Sequence, residues 1–212
     1  MKQVFEIGLH LAPETDWDLY QCASFLNELG YNGIGIMNHH PFVNEEDISF
    51  EGVHIIKGVE LKCENARDLH RATKKYRDHV DVLAVHGGIE EVNRLAVSNP
   101  LIDMLCHAEE GRTSGLNHIL MRFAKENDVA IEFNMCNVLS QRGIKRAQII
   151  RKLRKNLSLA RKFGVKTILT SGASKRLGVR APRDLIALGM AVGFTREEAV
   201  TSISHNVEAI LW

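Results

Sequence analysis

The stretch that decides the fold is residues 129–170, VAIEFNMCNVLSQRGIKRAQIIRKLRKNLSLARKFGVKTILT. It begins and ends with short runs of apolar and β-branched residues, Val129–Phe133 and Thr167–Thr170, which predict buried strands. Between them, Lys145–Phe163 repeats apolar residues at helical spacing, and Gly164 follows where a helix is expected to end. A strand, a long helix and a second strand predict a parallel β-α-β unit.

The same alternation runs through the rest of the chain and predicts an α/β fold. Further strands are predicted at Val4–Leu9, Gly33–Met37, Val53–Leu61, Val80–His86 and Ile102–His107. Further helices are predicted at Asp16–Leu29, Ala66–Arg77, Glu90–Val97, Leu116–Asn127, Arg183–Val192 and Arg196–Val207. Asp16, Ser114 and Thr195 are the expected N-caps, and Gly30 the expected residue after the first helix.

Seven parallel strands in 212 residues fit either a TIM-like barrel or an open doubly wound sheet. We favour the barrel, with outer helices, because no glycine-rich first turn marks a nucleotide-binding switch point. A chain of this length, without a linker-like tract, is expected to form a single domain over residues 1–212.

Composition excludes several classes of protein. No apolar run approaches the roughly 20 residues needed to cross a bilayer, and the N-terminus carries no apolar signal segment. The four cysteines, at 22, 63, 106 and 136, are far apart and predict reduced, mostly buried thiols. The sequence therefore predicts a cytoplasmic protein without a membrane partner. It also lacks a nucleophile elbow and a P-loop.

Basic charge is concentrated in one part of the chain. No acid occurs between Glu132 and Asp184, and the intervening 51 residues carry fourteen Lys and Arg, although the whole chain has a net charge of only +1. Residues 1–140, in contrast, hold 12 basic and 22 acidic side chains. Such segregation predicts a surface that attracts a polyanion. The alternative is an ordinary solvated helix face.

The long basic helix is expected to have two different sides. With residues about 100° apart, one arc is apolar: Ile149, Ile150, Leu153, Leu157 and Ala160. Arg151, Lys155 and Lys162 point the opposite way, and Lys152, Arg154 and Arg161 lie on the flanks. The loop after the following strand adds Lys175, Arg176, Arg180 and Arg183 at the C-terminal face of the sheet, where ligands of such folds bind.

Polar residues recur where the predicted strands end: His10, Asn38, His39, Glu60, His86, His107, Asn134 and Ser171. In a barrel these ends meet at one rim. Gly8-Leu9-His10, Met37-Asn38-His39, Gly58-Val59-Glu60 and Thr170-Ser171-Gly172-Ala173 resemble, in order, motifs of the PHP superfamily of metal-dependent phosphoesterases. The resemblance implies a barrel whose rim holds two or three metals through His, Glu and Asp.

This chain departs from that pattern. The first His, the Asp before the His of the second strand and the closing Asp-x-His are missing, and a multi-metal site needs bridging carboxylates. We therefore expect no metal on the protein, with His10, His39, Glu60, His86 and His107 as relics that hydrogen-bond within a polar rim. The alternative is that these five residues still hold one ion.

Roughly residues 80–212 resemble a second family, ribonuclease P protein component 3. The segments that carry the resemblance are Gly115-Leu116-Asn117-His118, Val129–Phe133, Arg151-Lys152-Leu153, Ile168–Ala173 and Val179–Gly189, the last containing Arg180-Ala181-Pro182-Arg183-Asp184-Leu185. The resemblance implies a TIM-like barrel without catalytic residues of its own. It also implies a subunit of the RNA-based endonuclease that removes the 5′ leader from precursor tRNA.

The resemblance further implies ribonuclease P RNA, precursor tRNA and protein component 2 as partners, with Mg²⁺ on the RNA and no cofactor on the protein. The residues expected to contact RNA are Arg112, His118, Arg151, Lys152, Lys155, Lys175, Arg176, Arg180 and Arg183. At 6% aromatic residues, binding is expected to use phosphates and shape rather than base stacking.

Two other functions remain open on the sequence alone. One is a PHP-type phosphoesterase acting on a small phosphate ester, which the missing Asp-x-His disfavours. The other is a structural barrel that binds only proteins, which the one-sided basic helix disfavours.

Overall fold

The structure is a computed structural model that describes residues 3–42, 49–111 and 115–212. Its strands are β1 Phe5–Leu9, β2 Gly33–Ile36, β3 His54–Leu61, β4 Val82–His86, β5 Met104–Cys106, β6 Ala130–Asn134 and β7 Thr167–Thr170. The α-helices in the described ranges are α1 Leu19–Glu28, α2 Ala66–Tyr76, α3 Glu90–Val97, α4 His118–Glu126, α5 Cys136–Ser140, α6 Gly143–Phe163, α7 Pro182–Val192, α8 Arg196–Ser202 and α9 His205–Leu211.

The seven strands form one parallel sheet in sequence order, which curls into a nearly closed barrel. One core cluster draws side chains from strands all around the sheet and fills the barrel. Its strand residues are Phe5, Ile7, Ile56, Val82, Ala84, Met104, Cys106, Ala130 and Ile168. This arrangement confirms the predicted α/β barrel and excludes the open doubly wound sheet.

The helices cover the outside of the barrel, and the last one covers its N-terminal end. Val207 of α9 joins the interior core cluster, and Asn206 donates to the carbonyl of Thr167, the first residue of β7, at 2.9 Å. The opposite end of the barrel, where the strands end, is left for polar side chains. The fold therefore offers one open rim.

β1 and β7 close the barrel without a strand ladder between them. The carboxylate of Glu6, fully buried, accepts the backbone N–H of Ser171 at 3.0 Å and that of Gly8 at 3.1 Å. Beyond the strand ends, the N–H of His10 donates to the carbonyl of Ala173 at 3.0 Å. A buried side chain thus supplies acceptors that a ladder would otherwise provide.

The predicted strands all form, with ends within two residues of those predicted. Gly30 has a φ of +91° just beyond α1, Gly164 ends α6 in the left-handed region, and Thr195 caps α8 in a capping box. These three predictions are confirmed. The structure also adds α5, which the sequence analysis missed because five residues are too few to show a helical period.

Three predictions about helix limits were wrong or lie outside the described residues. α1 begins at Leu19, because Asp18 rather than Asp16 caps it by accepting the N–H of Gln21. Ser114 lies outside the described residues, and α4 is capped by Asn117 instead. The helix predicted over Arg196–Val207 is two helices, since the carbonyl of Ile203 accepts the N–H of Phe5 at 2.8 Å and so leaves the helical ladder.

The four cysteines are free, and three of them are buried, as the spacing predicted. Among the described residues, no helix is both long enough and apolar enough to span a membrane.

The buried carboxyl of Glu6 makes stability depend on pH. Burial raises the pKa of Glu6 to about 7, from about 4.5 when it is exposed. Between these values the unfolded chain is ionised and the folded chain is protonated, so stability falls as pH rises through this window and is lowest above it. We expect the stability of the Glu6→Gln variant, measured relative to the wild type at each pH, to rise by up to about 3 kcal/mol as the pH increases from 4.5 to 8.

Urea unfolding at pH 5, 6, 7 and 8 measures this difference. Other buried acids titrate in both proteins, so their contributions cancel in the comparison. A stability difference that stays constant with pH would contradict this account of Glu6.

The close approach of β1 and β7 gives a second test. A Cβ added at Gly8 would lie 2.7 Å from the Cβ of Thr170, so the two strands would have to move apart. We expect Gly8→Ala to destabilise the fold by about 1–3 kcal/mol. Gly178→Ala is the matched control, because its added Cβ would meet nothing closer than 3.1 Å and the loss should be smaller. Equal losses would show that the seam is not tightly packed.

Candidate functional site

The barrel rim brings together the five residues predicted from the strand ends. Glu60 lies in β3 and is buried, and the imidazoles of His10, His39, His86 and His107 surround its carboxylate. The distances from Glu60 oxygens are 2.5 Å to His86 Nδ1, 3.6 Å to His39 Nε2, and 3.9 Å to both His10 Nε2 and His107 Nε2. The rings stack in two pairs, His10 on His39 and His86 on His107.

Two acids that the sequence analysis missed complete this cluster. Glu14, in the loop after β1, contacts His10 Nδ1 at 3.2 Å and His39 Nδ1 at 2.7 Å. Glu110, in the loop after β5, lies 3.4 Å from His86 Nε2 and 3.2 Å from His107 Nδ1. A signal was available, because each acid follows a rim histidine by three or four residues. We call these two acids and the five strand-end residues the rim cluster.

The protonation of the rim cluster follows from these contacts. Burial alone would raise the pKa of Glu60, but hydrogen bonds with His39 and His86 outweigh burial and hold it well below its usual range. Burial opposes the effect at Glu14 too, where hydrogen bonds from His10 and His39 lower the pKa to about 2. At His86, burial is outweighed by Glu110 and Glu60, and the pKa rises to about 9. Glu60 and Glu14 therefore favour their negatively charged form, and His86 its positively charged form.

The other predicted rim residues have different roles. Asn38 is buried and clamps the loop after β1, accepting the N–H of Leu11 at 2.7 Å and donating to the carbonyl of Phe42 at 2.9 Å. Asn134 donates to Glu132 at 3.2 Å and lies 3.4 Å from His107 Nε2. At the end of β7, Ser171 is buried and takes part in the seam.

Two cations on the flanks of α6, Arg154 and Arg161, bind other parts of the protein. Arg154 donates to the carbonyls of Ala191 and Val192 at the end of α7, at 3.1 and 2.9 Å. Arg161 donates to the carbonyl of Gly193 and pairs with Glu198. Carbonyls at a helix C-terminus lack helical partners and carry partial negative charge, which a cation satisfies. These two arginines therefore join α6 to the end of α7 and to α8.

Lys152 also forms its hydrogen bonds within the protein. Its ammonium donates to the carbonyls of Glu109 at 2.9 Å and Gly111 at 2.5 Å, in the loop that follows β5. Lys152 is one of the residues expected to contact RNA, and its predicted position on a flank of the helix is confirmed. In the structure Lys152 ties α6 to the loop that carries Glu110.

Three cations on the outer side of α6 are exposed, and we call them the outer stripe: Arg151, Lys155 and Lys162. Within the described residues, Arg151 and Lys155 have no hydrogen-bond or ion-pair partner, and Lys162 lies only over the ring of Phe163, at 5.8 Å. The opposite arc is buried or packed on the core, as predicted. The split between an apolar arc and an outer basic side is therefore confirmed.

The remaining residues predicted to contact RNA are spread over the C-terminal side. Lys175 and Arg183 are exposed, whereas Arg180 folds back onto carbonyls of its own turn and Arg176 lies 4.3 Å above the ring of Phe25. His118 is exposed in the first turn of α4. Arg112 lies outside the described residues.

Comparison with known proteins gives the family. Residues 4–212 match the family described as RNase P subunit p30. The chain is 38% identical over 206 residues to "Ribonuclease P protein component 3" of Methanococcoides burtonii, covering 97% of this chain and 86% of the relative.

Solved structures agree with the fold. A chain of an archaeal ribonuclease P complex with mature tRNA superimposes with a TM-score of 0.80 at 26% identity, covering 98% of this chain and 89% of that one. A histidinol phosphate phosphatase from Lactococcus lactis superimposes with a TM-score of 0.55 at 12% identity, over 92% of this chain and 94% of that one, which shows a shared fold alone. The match over almost the whole sequence decides the assignment: the chain belongs to the RNase P subunit p30 family.

Proposed function

We propose that this chain is an RNA-binding protein subunit of ribonuclease P, supporting removal of the 5′ leader from precursor tRNA by a catalytic RNA. The observation that carries this proposal is membership of the family over residues 4–212. A relative of the same barrel fold, 26% identical, is part of an archaeal ribonuclease P complex with mature tRNA. The catalytic activity belongs to the holoenzyme, in which this chain acts as a scaffold and contacts the RNA.

The outer stripe is the surface that we assign to RNA phosphates. Its members follow one another at intervals of four and seven residues along α6, so they lie on one side of a helix about 30 Å long. Arg151 and Lys155 are a like-charge pair at i, i+4, which costs roughly 0.2–0.5 kcal/mol in an isolated helix. A phosphate backbone laid along this side would relieve the repulsion and release counterions.

Two further cations extend this surface toward the rim. Arg183 lies in the first turn of α7, which begins at Pro182, and its side chain is exposed. Lys175 is exposed in the loop after β7. Both suit phosphate contacts, because neither has an ion-pair partner within the described residues. We assign Arg176, Arg180 and His118 weaker roles, since the first two already have internal contacts.

We further propose that Mg²⁺ acts on the RNA of the holoenzyme, that component 2 is a protein partner, and that the chain works in the cytoplasm as a single barrel domain. Support for chemistry on the RNA comes from the end of β7, which carries Ser171 and Ala173 where a phosphoesterase of this fold would need a carboxylate and an imidazole.

The second candidate function is a metal-dependent phosphoesterase. The convergence of four imidazoles on Glu60 favours it, since such groups bind transition metals. The missing ligands at β7 disfavour it, because a two-metal site needs donors on both sides of a substrate oxygen. A screen with small phosphate esters and added Mn²⁺ separates the two: turnover would support the phosphoesterase.

We expect a tagged form of the chain, recovered from native lysate at moderate salt, to bring down one structured non-coding RNA together with tRNA precursors. The reason is that a subunit of the holoenzyme stays with the catalytic RNA and its substrate. Sequencing of the bound RNA is the measurement. Recovery of no enriched RNA would argue against the subunit role and redirect attention to the rim.

We also expect the Arg151→Ala, Lys155→Ala, Lys162→Ala triple variant to bind ribonuclease P RNA with a shallower salt dependence. Each phosphate contact contributes about −0.7 to −0.9 to the slope of log K against log salt, so the slope should lose about 2 to 3 units. Because these side chains support no other described element, the melting temperature should not change. Filter binding at several salt concentrations measures the slope.

Arg154→Ala is the matched control on the same helix. It removes the cation that satisfies the end of α7, so it should lower stability by roughly 1 kcal/mol while the slope stays near that of the wild type. The reverse pattern, with the slope lost in Arg154→Ala and kept in the triple variant, would place the RNA surface on another side of the helix.

A further inference from the structure

A polar cavity lies on the side of the barrel, between the loop after β5 and the first half of α6, and α5 completes its wall. Its volume is about 450 Å³. Small-molecule sites typically have volumes of roughly 300–1,000 Å³, so the cavity has room for a ligand of that size.

Charged side chains of both signs line this cavity in equal number. The carboxylates are those of Glu109 and Glu110, and the ammonium groups are those of Lys145 and Lys152. Lys152 already donates to the backbone carbonyls of Glu109 and Gly111. Because the lining has no net charge, it favours a neutral polar ligand over a free cation or a free anion.

Three amide side chains, those of Asn137, Gln141 and Gln148, give the lining both donors and acceptors. Asn137 donates to Glu110 at 2.9 Å, whereas the amides of Gln141 and Gln148 have no hydrogen-bond partner in the part of the chain that the structure describes. An amide presents a carbonyl acceptor beside an NH₂ donor, which is the pattern that complements the edge of a nucleobase. Ile149 adds an apolar surface for the face of a planar ring.

Glu109 is a buried acceptor that lacks a donor. It is 2% exposed, and within the described residues neither of its carboxylate oxygens has a hydrogen-bond partner. An unpaired buried polar group costs free energy, which a ligand that donates to it would recover. An ionised carboxylate only accepts hydrogen bonds, so it selects a ligand with two neighbouring donors. Guanine is the RNA base with this pattern, at N1–H and the exocyclic amino group.

The cavity opens beside the outer stripe of α6. Gln148 precedes Arg151 by three residues and Lys152 precedes Lys155 by three, and residues so spaced are neighbours on the surface of a helix. An RNA backbone that lies along the outer stripe therefore passes the cavity. Recognition of a base edge by hydrogen bonds needs no aromatic platform, which suits a chain with 6% aromatic residues.

We propose that this cavity binds one unpaired guanine of an RNA whose phosphates lie on the outer stripe. Glu109 accepts from N1–H and the exocyclic amino group, and Gln141 and Gln148 bond the remaining edge of the base. The exposed ammonium of Lys145 contacts the phosphate of the same nucleotide. The inference rests on the proposed RNA-binding function and adds a base preference to it.

The test is titration of the full-length chain with guanosine 5′-monophosphate and with adenosine 5′-monophosphate, followed by calorimetry or NMR. Burial raises the pKa of Glu109 to about 7, so the titrations are made at pH 8, where the carboxyl is mostly ionised. We expect the guanosine nucleotide to bind roughly 5–100-fold more tightly, which is the discrimination that a good bidentate contact gives. Glu109→Gln should remove this preference, because its amide places a donor against the donors of guanine.

Gln148→Ala should weaken binding of the guanosine nucleotide several-fold without unfolding the chain, because Gln148 is exposed. Gln21→Ala is the matched control, since Gln21 is exposed on α1 and does not line the cavity. It should bind both nucleotides as the wild type does.

The proposal is overturned if the wild type binds neither nucleotide or binds both equally, or if a folded Glu109→Gln variant keeps the preference. Should Glu109→Gln fail to fold by circular dichroism, Gln148→Ala decides, and an unchanged affinity there overturns the proposal. The salt dependence of RNA binding reports on the outer stripe separately. A normal slope without a guanine preference removes only this inference, whereas a guanine preference without RNA recovered from lysate removes only the subunit role.

Discussion

Closure of the barrel at the seam between β1 and β7 is the constraint on which the rest of the structure depends. The buried carboxylate of Glu6 accepts backbone N–H groups from both sides of the seam, where a ladder of strand hydrogen bonds is absent. A single side chain can do this because a carboxylate offers several lone pairs. Closure brings the end of β1 beside the end of β7 and turns a row of strand ends into a rim. It also requires a glycine at position 8, where Thr170 leaves no room for a side chain.

The basic charge of the second half serves two purposes that only the packing separates. Arginines on the flanks of α6 donate hydrogen bonds to the carbonyls at the end of α7. Those carbonyls have no partner within their own helix and carry partial negative charge, so a cation stabilises them. Cations on the outer side have no such neighbour and face solvent. Part of the positive charge in the segment is therefore paired within the fold, by backbone carbonyls at the end of α7 and by the carboxylate of Glu198.

The rim and the outer stripe differ in the charges that they present. At the rim, the carboxylates of Glu14, Glu60 and Glu110 are paired with histidines, so charges of both signs lie side by side there. The outer stripe carries positive charge alone and favours a polyanion. Lys152 connects the two regions physically, because it joins α6 to the loop that holds Glu110.

The sequence by itself determined the strands, most of the helices, the barrel and the residues at the strand ends, because periodicity, caps and the order of elements are local properties. It also separated the outer side of α6 from the apolar side, since a helix has a fixed period. Only the tertiary structure decided that Lys152 bonds to carbonyls within the protein and that Glu14 and Glu110 join the rim. It also decided that the predicted last helix is interrupted at Ile203, whose carbonyl accepts the backbone N–H of Phe5. Each of these depends on contacts between residues that are distant in the chain or carried on loops, and no local pattern specifies which carbonyl or ring a side chain will meet.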